Sequence, residues 1–340
     1  EEILSNLPAD LIDDAIKSIS TWESYSPTPL VKLNKLNDQL KFKNIYYKDE
    51  DKRFDLKSFK ALGGAFAVYK IASEKENITV STATAGNHGR SVAWGAQRLG
   101  LKCKIFISEF VSESRAEAMR KLDAEVIRVK GNYDNSLKEC IKQSKENNWE
   151  IVQDVSWEGY KEVPKLIMAG YTIMIKEILD EVKSNSISHV FLQAGVGGMA
   201  AAMIAGFAKL SQNIPKFIIV EPENADCVFQ SIKNNKPTSV DIKKETVMGG
   251  MSCGDVSSIA WEILKNSSNY CLTISDEAIS TTVALLAEKR LSDEKIIAGE
   301  CAVPGIIALI SSFNNKEYLD KLELNEQSNV LLFGCEGLTD

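Results

Sequence analysis

The sequence predicts a two-domain α/β protein with mostly parallel, twisted sheets flanked by helices. Strand-like and helix-like segments alternate through the middle of the chain, which is typical of parallel strands joined by helical crossovers. At 340 residues the chain is too long for one simple core and indicates about two domains. Three predicted strands end in glycine-rich or polar stretches, which is where sheets of this class bind ligands.

The elements follow in order from periodicity and capping residues. Lys60 lies at a helix start, and the β-rich run "ITVSTATA" leads into a polar turn at 86–89 before the next helix. Further strands are expected at 102–108, 124–129, 149–154, 189–195 and 216–223, and helices at 112–123, 132–148 and 198–210, with one long helical pattern inside 155–188.

Composition argues against several classes of function. A formal net charge of -7 disfavours a nucleic-acid partner, and no apolar run reaches 18 residues, so we expect no membrane span. The acidic segment 1–10 has no apolar signal core. Seven scattered cysteines without a C-x-x-C pair, and only two histidines, disfavour disulfides and metal clusters. We therefore expect a cytoplasmic protein without a metal site.

A glycine-rich turn between a predicted strand and a helix is a candidate phosphate site. Backbone N–H groups and the helix dipole at such a turn favour an anion, although many such turns are only tight turns. The same residues fit G-x-G-x-x-A, with Glu221 at the end of the next strand, which is the dinucleotide fingerprint. The motif alone leaves both ligands open. Its residues are Gly195, Val196, Gly197, Gly198 and Met199.

Lys60 favours a different cofactor. A single lysine is normally a solvated surface residue, but Lys60 stands between Phe59 and Ala61 and is followed by small residues. We expect this setting to desolvate the amine and lower its pKa, as a Schiff-base lysine requires. A reactive lysine, a phosphate loop and a polar turn together indicate pyridoxal phosphate.

Several motifs occur in the order found in one known family. They are "SPTPLVKL" (26–33), "SFKALGG" (58–64), "AGNHGR" (85–90) and "GVGGM" (195–199). On these the chain resembles the fold type II, tryptophan-synthase-β-like, pyridoxal-phosphate enzymes. Within that family it is similar to the diaminopropionate ammonia-lyases, through "QDVSWEGYKEVPKLIMAGY" (153–171), "VEPENADCVFQS" (220–231), "TVMGGMSCG" (246–254) and "GCEGLTD" (334–340).

The resemblance implies pyridoxal 5'-phosphate as the cofactor. Lys60 would bind it covalently and, once displaced by substrate, take the Cα proton. Asn87 would hydrogen-bond the ring hydroxyl, and the loop 195–199 would hold the phosphate through backbone N–H groups. Cys335 stands where relatives place a Ser or Thr facing the pyridine nitrogen, and would be a neutral partner there. The alternative for Cys335 is a small buried residue.

The resemblance also places the substrate α-carboxylate at the polar turn. The turn would bind it mostly through N–H groups, and His88 would contribute its backbone rather than its ring. Relatives carry Asp or Ser where this chain has Ala85, so no acid–base group would serve a D-isomer. The turn residues are Thr84, Ala85, Gly86, Asn87 and His88.

Asp154 is the other acidic candidate. In the lyases that the chain resembles, the stretch around it lies over the substrate, so Asp154 would hold a β-ammonium group. The alternative is an ordinary carboxylate at a strand end or helix cap.

The expected enzyme is an α,β-eliminating ammonia-lyase acting on a small β-substituted L-amino acid such as 2,3-diaminopropionate, giving pyruvate and ammonia. A serine/threonine or hydroxyaspartate dehydratase, an NAD-binding oxidoreductase and a non-catalytic binding protein are the alternatives. We expect a large cofactor-binding domain from 1–64 and 176–340, a small domain from 65–175, and a homodimer.

Overall fold

The computed structural model describes residues 2–84, 86–182 and 187–339. Within these ranges the chain forms ten strands in two sheets. The strands are β1 (Leu30–Lys32), β2 (Asn44–Asp49), β3 (Thr79–Ala83), β4 (Lys102–Ser108), β5 (Glu125–Val129), β6 (Glu150–Ile151), β7 (His189–Gln193), β8 (Lys216–Pro222), β9 (Tyr270–Ile274) and β10 (Asn329–Gly334).

Helices follow most of the strands, because parallel neighbours need a crossover connection. In the described part of the chain the α-helices are α1 (Glu2–Asn6), α2 (Ala9–Ser20), α3 (Asn34–Leu40), α4 (Lys60–Glu74), α5 (Asn87–Arg98), α6 (Glu113–Arg120), α7 (Tyr133–Asn147), α8 (Glu162–Tyr171), α9 (Ile173–Val182), α10 (Gly198–Leu210), α11 (Cys227–Asn234), α12 (Ser258–Ser267), α13 (Ile279–Ala287), α14 (Pro304–Phe313) and α15 (Lys316–Leu322).

The larger sheet has the strand order β1-β2-β10-β7-β8-β9. β1 is antiparallel to β2, and all other neighbours are parallel. β10 lies between β2 and β7, with Val330 opposite Ile45 on one side and His189 on the other. β7, β8 and β10 are buried along almost their whole length, as parallel strands covered on both faces are.

The smaller sheet has the order β5-β4-β3-β6, and its strands are all parallel. It draws only on residues 79–151, whereas the larger sheet combines strands from before and after this stretch. The predicted α/β class with mostly parallel sheets is therefore confirmed. The boundaries at 65 and 175 remain a prediction.

Several predicted elements match the structure closely. β4 spans the expected 102–108 and α10 the expected 198–210. Ser112 caps α6, since its side chain accepts a hydrogen bond from Arg115 N–H. Strong periodicity and a capping residue were sufficient to predict these elements.

Two predicted elements differ from those in the structure. The strand expected at 149–154 ends after Ile151, because the Gln153 side chain replaces the backbone as partner of β3: Nε2 donates to Ala83 O at 2.9 Å and Oε1 accepts from Ala83 N–H at 3.1 Å. The long helical pattern is two helices, α8 and α9, that break at Thr172. Its last two residues, 183 and 184, lie outside the described ranges.

A buried cluster of four charges fixes the segment that leads into α4. Arg53 donates to Glu50 and to Glu177, each at 2.7 Å, and Lys48 pairs with Glu177 at 2.6 Å. Two positive and two negative side chains balance, so none is left as an unpaired buried charge. The cluster joins the end of β2, the turn before Lys60 and α9.

Candidate active site

Lys60 begins α4 beside the carboxyl end of β10. Phe59 N–H donates to the Cys335 carbonyl oxygen at 3.0 Å, and Ser91 Oγ of α5 donates to the Lys60 carbonyl oxygen at 2.6 Å. These bonds tie the lysine backbone both to the large sheet and to the helix that follows β3. Its side chain is 27% exposed, so the amine remains accessible to a ligand.

The Lys60 amine forms an ion pair with Asp154, with Nζ 2.8 Å from Oδ2. Burial alone would lower the pKa of Lys60, but the negative charge of Asp154 and its hydrogen bond raise it well above the usual value. The expectation of a lowered lysine pKa is therefore wrong for the protein without ligands. The apolar neighbours in sequence gave no sign of a carboxylate that lies 94 residues further along the chain.

Asp154 is fixed over the site by the residues that follow it. Ser156 Oγ lies 2.6 Å from Ser257 Oγ and accepts from Ile259 N–H at 3.1 Å, which attaches this segment to the start of α12. Burial alone would raise the pKa of Asp154, but the positive charge of Lys60 and its hydrogen bond lower it below the usual range. Asp154 is therefore an ionised carboxylate inside the site.

The His88 ring lies next to this pair. It is 3% exposed, its Nε2 is 2.7 Å from Val152 O, and its Nδ1 is 3.8 Å from Asp154 Oδ2. Burial lowers its pKa, so the ring is neutral near pH 7. The ring therefore lies beside the Lys60–Asp154 pair, and the expected contribution of the His88 backbone remains a prediction.

The polar turn is shaped by Thr84. Its Oγ1 accepts from Gly86 N–H at 3.0 Å and from Gly89 N–H at 3.2 Å, and its own N–H donates to Phe106 O at 3.1 Å. The N–H groups of Thr84 and Gly86 are thus already used within the protein. Among the turn residues that the structure describes, the first-turn amides of Asn87 and His88 remain to bind a carboxylate. Ala85 lies outside the described residues.

Asn87, the expected partner of the cofactor hydroxyl, has two side-chain partners. Its Nδ2 donates to Glu336 Oε2 at 2.6 Å, and its Oδ1 accepts from Arg90. Its expected role remains a prediction.

Cys335 directly follows β10 and is 4% exposed. Its thiol donates to the Cys301 carbonyl oxygen at 3.2 Å. Burial raises the pKa of Cys335 well above its usual value, so the side chain is a neutral thiol. This charge state is the one expected of a neutral partner for a pyridine nitrogen.

The glycines of the loop 195–199 have different roles. Gly197 has a φ of +90°, and a Cβ there would lie 2.8 Å from Leu264 Cδ1, so backbone conformation and packing require glycine. A Cβ at Gly195 would lie 2.9 Å from Gly250 O. At Gly198 a Cβ would meet nothing within 4 Å. Open space for a ligand therefore lies at Gly198, not at Gly197.

The other two loop residues anchor this turn. Val196 O accepts from Ser257 N–H at 2.9 Å, which ties the loop to the start of α12. The Met199 side chain is 8% exposed and packs in the core. Met199 can therefore offer a ligand its backbone amide but little of its side chain.

A family-level comparison decides what this site holds. Residues 21–336 match the model of the family described as "Pyridoxal-phosphate dependent enzyme". The chain belongs to this family.

Individual relatives agree with the family assignment. The diaminopropionate ammonia-lyase of Escherichia coli (strain K12) is 34% identical over 93% of this chain and 85% of its own length. The L-threonine dehydratase of Haemophilus influenzae is 30% identical over 68% of this chain and 43% of its own length. The E. coli lyase crystallised with an aminoacrylate-PLP azomethine intermediate superimposes with a TM-score of 0.91 at 33% identity, covering 98% of this chain and 90% of that one.

The site of this pyridoxal-phosphate-dependent enzyme fits its cofactor. The first-turn amides of α10, a helix of 13 residues, have no acceptors within the helix and favour an anion such as phosphate. Open space lies in front of Gly198, and the partly exposed Lys60 carries a primary amine of the kind that this cofactor's chemistry uses.

The NAD interpretation of the same loop is wrong for this family member. Glu221, the acid that the fingerprint requires, is fully buried. Its carboxylate accepts hydrogen bonds from Val228 N–H at 2.9 Å and Phe229 N–H at 2.7 Å. It caps the start of α11 and is not available to a ribose hydroxyl.

Sequence reasoning missed Glu336 and the ring of His88. Glu336 lies next to Cys335 in the "GCEG" motif, and an acid beside an expected cofactor-site residue was the only signal available.

In 2–84, 86–182 and 187–339 no group of three or more metal-binding side chains is placed to hold an ion. Nor is any helix in these ranges long and apolar enough to cross a membrane.

Proposed function

We propose that the enzyme eliminates ammonia from a small β-amino L-amino acid, and that 2,3-diaminopropionate is its substrate. One diaminopropionate and one water would give pyruvate and two molecules of ammonia. The ion pair between Lys60 and Asp154 carries the proposal, because it places an amine base and a carboxylate suited to an ammonium group 2.8 Å apart. The 34% identity to the E. coli diaminopropionate ammonia-lyase supports it.

Each protein group has a task in this reaction. When bound, pyridoxal phosphate would supply the electron sink that makes the substrate Cα proton acidic. Lys60 Nζ takes that proton as the general base on its own side of the substrate. The amides of Asn87 and His88, at the start of α5, bind the α-carboxylate. Asp154 holds the β-ammonium that becomes the leaving group.

The residues expected to hold the cofactor are proposed on the same basis. Lys60 would bond to it, Asn87 would contact its ring hydroxyl, and Cys335 would face its ring nitrogen. The backbone amides of the loop 195–199, above all those of Gly198 and Met199 at the start of α10, would bind its phosphate.

A dehydratase acting on serine, threonine or hydroxyaspartate is the second candidate. The similarity to the H. influenzae L-threonine dehydratase favours it. A β-hydroxyl group carries no charge, however, and would gain less from the buried Asp154 carboxylate than a β-ammonium group does.

The two candidates are separated by Asp154→Asn. If Asp154 pairs with a β-ammonium, the variant loses about thirty-fold more kcat/KM for diaminopropionate than for L-serine, because one charged contact is worth about 2 kcal/mol. The assay is release of ammonia and 2-oxo acid from both substrates.

Asp134→Asn is the matched control, since Asp134 is exposed on α7. It should leave both rates unchanged. If Asp154→Asn lowers kcat/KM equally for the two substrates, Asp154 has a structural role only. The ion pair would then no longer support diaminopropionate as the substrate.

We also propose a reducing, cytoplasmic location and a homodimeric assembly. All seven cysteines are free thiols, which supports a reducing compartment. The small domain at 65–175 is proposed on the ground that β3 to β6 form their own sheet.

A further inference from the structure

One nitrogen of the His88 ring has no partner. Nε2 lies 2.7 Å from the Val152 carbonyl oxygen, but Nδ1 is buried and makes no hydrogen bond. The other histidine of the chain, His189, has partners on both ring nitrogens: Ser188 Oγ and Leu322 O, each at 2.8 Å. A buried polar atom without a partner is costly, so the Nδ1 of His88 needs an explanation.

The tautomer of His88 follows from its one bond. A carbonyl oxygen can only accept, so Nε2 carries the proton and Nδ1 of the neutral ring carries a lone pair. This lone pair lies 3.8 Å from Asp154 Oδ2, which is also an acceptor. Two acceptors facing each other across this distance require a donor between or beside them, and a cation suits the carboxylate best.

Lys60 meets this need only in part. Its ammonium group bonds Asp154 at 2.8 Å but has no bond to His88. If Lys60 is occupied by the cofactor, as the proposed function requires, Asp154 loses its cation and His88 Nδ1 still has no donor. Lys60 and Asp154 are the charged groups that act on the ring. The other titratable groups that interact with this pair are Tyr133, Tyr160, Tyr171, Cys253, Cys335 and Glu336.

We infer that His88 Nδ1 and Asp154 Oδ2 form a two-acceptor recess for a primary ammonium group. In the cofactor-free protein Lys60 occupies it only at Asp154, and during turnover the β-ammonium of the substrate binds both acceptors. This inference rests on the proposed function and extends it, since it makes His88 a determinant of specificity for amino over hydroxyl leaving groups. An ammonium has three N–H donors and can serve both acceptors, whereas a hydroxyl has one.

Imidazole ¹⁵N NMR of the full-length, cofactor-free Lys60→Ala variant tests the recess directly. Only two histidines are present, so both are resolved, and His189 is the internal control. Methylammonium should shift the His88 Nδ1 resonance saturably and leave His189 unmoved. Tetramethylammonium, which has no N–H donor, should have no effect. Absence of the shift, or equal shifts of both histidines, would overturn the inference.

Two His88 variants provide the second measurement. His88→Gln retains a donor for Val152 O but loses the acceptor at Nδ1, and it should lower kcat/KM for diaminopropionate about tenfold with L-serine within about threefold. His88→Asn retains an acceptor near Nδ1 and should retain more of the diaminopropionate preference. Equal losses on both substrates would reject the recess.

The inference and the proposed function fail separately. Methylammonium binding needs no elimination reaction, so a saturable His88 shift in Lys60→Ala, together with no ammonia release from diaminopropionate by the unsubstituted enzyme, would reject the proposed function alone. Ammonia release from diaminopropionate without any His88 shift would reject the recess alone.

Discussion

Asn87 Nδ2 donates a hydrogen bond to Glu336 Oε2 at 2.6 Å and so joins the start of α5 to the segment after β10. Glu336 is anchored in turn, because its Oε1 accepts from Cys301 N–H at 3.2 Å. Burial raises the pKa of Glu336. One carboxylate therefore connects a helix of the smaller sheet to the end of the larger one, next to the expected cofactor.

Glu336→Gln should weaken this connection. A neutral amide is a poorer acceptor than a carboxylate and cannot satisfy both N–H donors, so the free energy of unfolding should fall by about 1–2 kcal/mol. Urea denaturation of the cofactor-free protein measures the change. Glu300→Gln, at an exposed position in the neighbouring 3₁₀ turn, is the control and should be neutral. An unchanged free energy of unfolding in Glu336→Gln would show that the hydrogen bond adds no stability.

Covalent attachment of the cofactor to Lys60 should be slow at neutral pH and accelerate as pH rises. Attachment needs the neutral amine, and Asp154 raises the pKa of Lys60, so the reactive fraction grows with pH up to that raised value. Asp154→Asn removes the negative charge, lowers the lysine pKa and should speed attachment at pH 7. Borohydride fixation followed by mass spectrometry gives the rate. Identical rates at pH 7 and 9 would contradict this reasoning.

Gly198→Val should reduce affinity for pyridoxal phosphate with little loss of stability. Its side chain would project into open space in front of the α10 amides. Gly197→Ala should instead destabilise the fold by at least about 1 kcal/mol, because its φ of +90° and the approach of Leu264 exclude a side chain. Cofactor titration and urea denaturation of both variants separate the two effects. A Gly198→Val protein with normal affinity would place the phosphate elsewhere.

Ala85→Asp should raise activity on D-substrates while L-activity stays within about tenfold. Ala85 lies outside the described residues, so this prediction rests on the sequence: alanine offers no base, and general-base catalysis contributes about 10²–10⁴-fold. The measurement is kcat/KM for both enantiomers of diaminopropionate, before and after the substitution. Comparable L and D rates in the unchanged protein would mean that another residue serves the D-isomer.

Sequence was a good guide where a local pattern determines structure. The helix α10 and the strand β4 have long, regular apolar patterns, and both were predicted at their observed bounds. The lysine at the start of α4 and the glycine loop before α10 were also recognised locally, because their residue types are unusual at those places.

Prediction from the sequence failed where the interacting residues are far apart along the chain. The pKa of Lys60 depends on Asp154, 94 residues away, and the anchoring of Asn87 depends on Glu336, 249 residues away. The end of β6 was misjudged because a Gln153 side chain takes the place of backbone pairing, which no periodicity reveals. Likewise the roles of Gly197 and Gly198 depend on which of them faces α12.

The position of β10 has a consequence for synthesis on the ribosome. Asn329 at its start bonds Asn44 of β2 across 285 residues, and β10 separates β2 from β7 within the larger sheet. The smaller sheet can pair as soon as residue 151 has emerged, whereas the larger one must wait for residues 329–334. Until Cys335 has emerged, the Phe59 N–H has no Cys335 carbonyl to bind, so Lys60 gains its final setting long after its own synthesis.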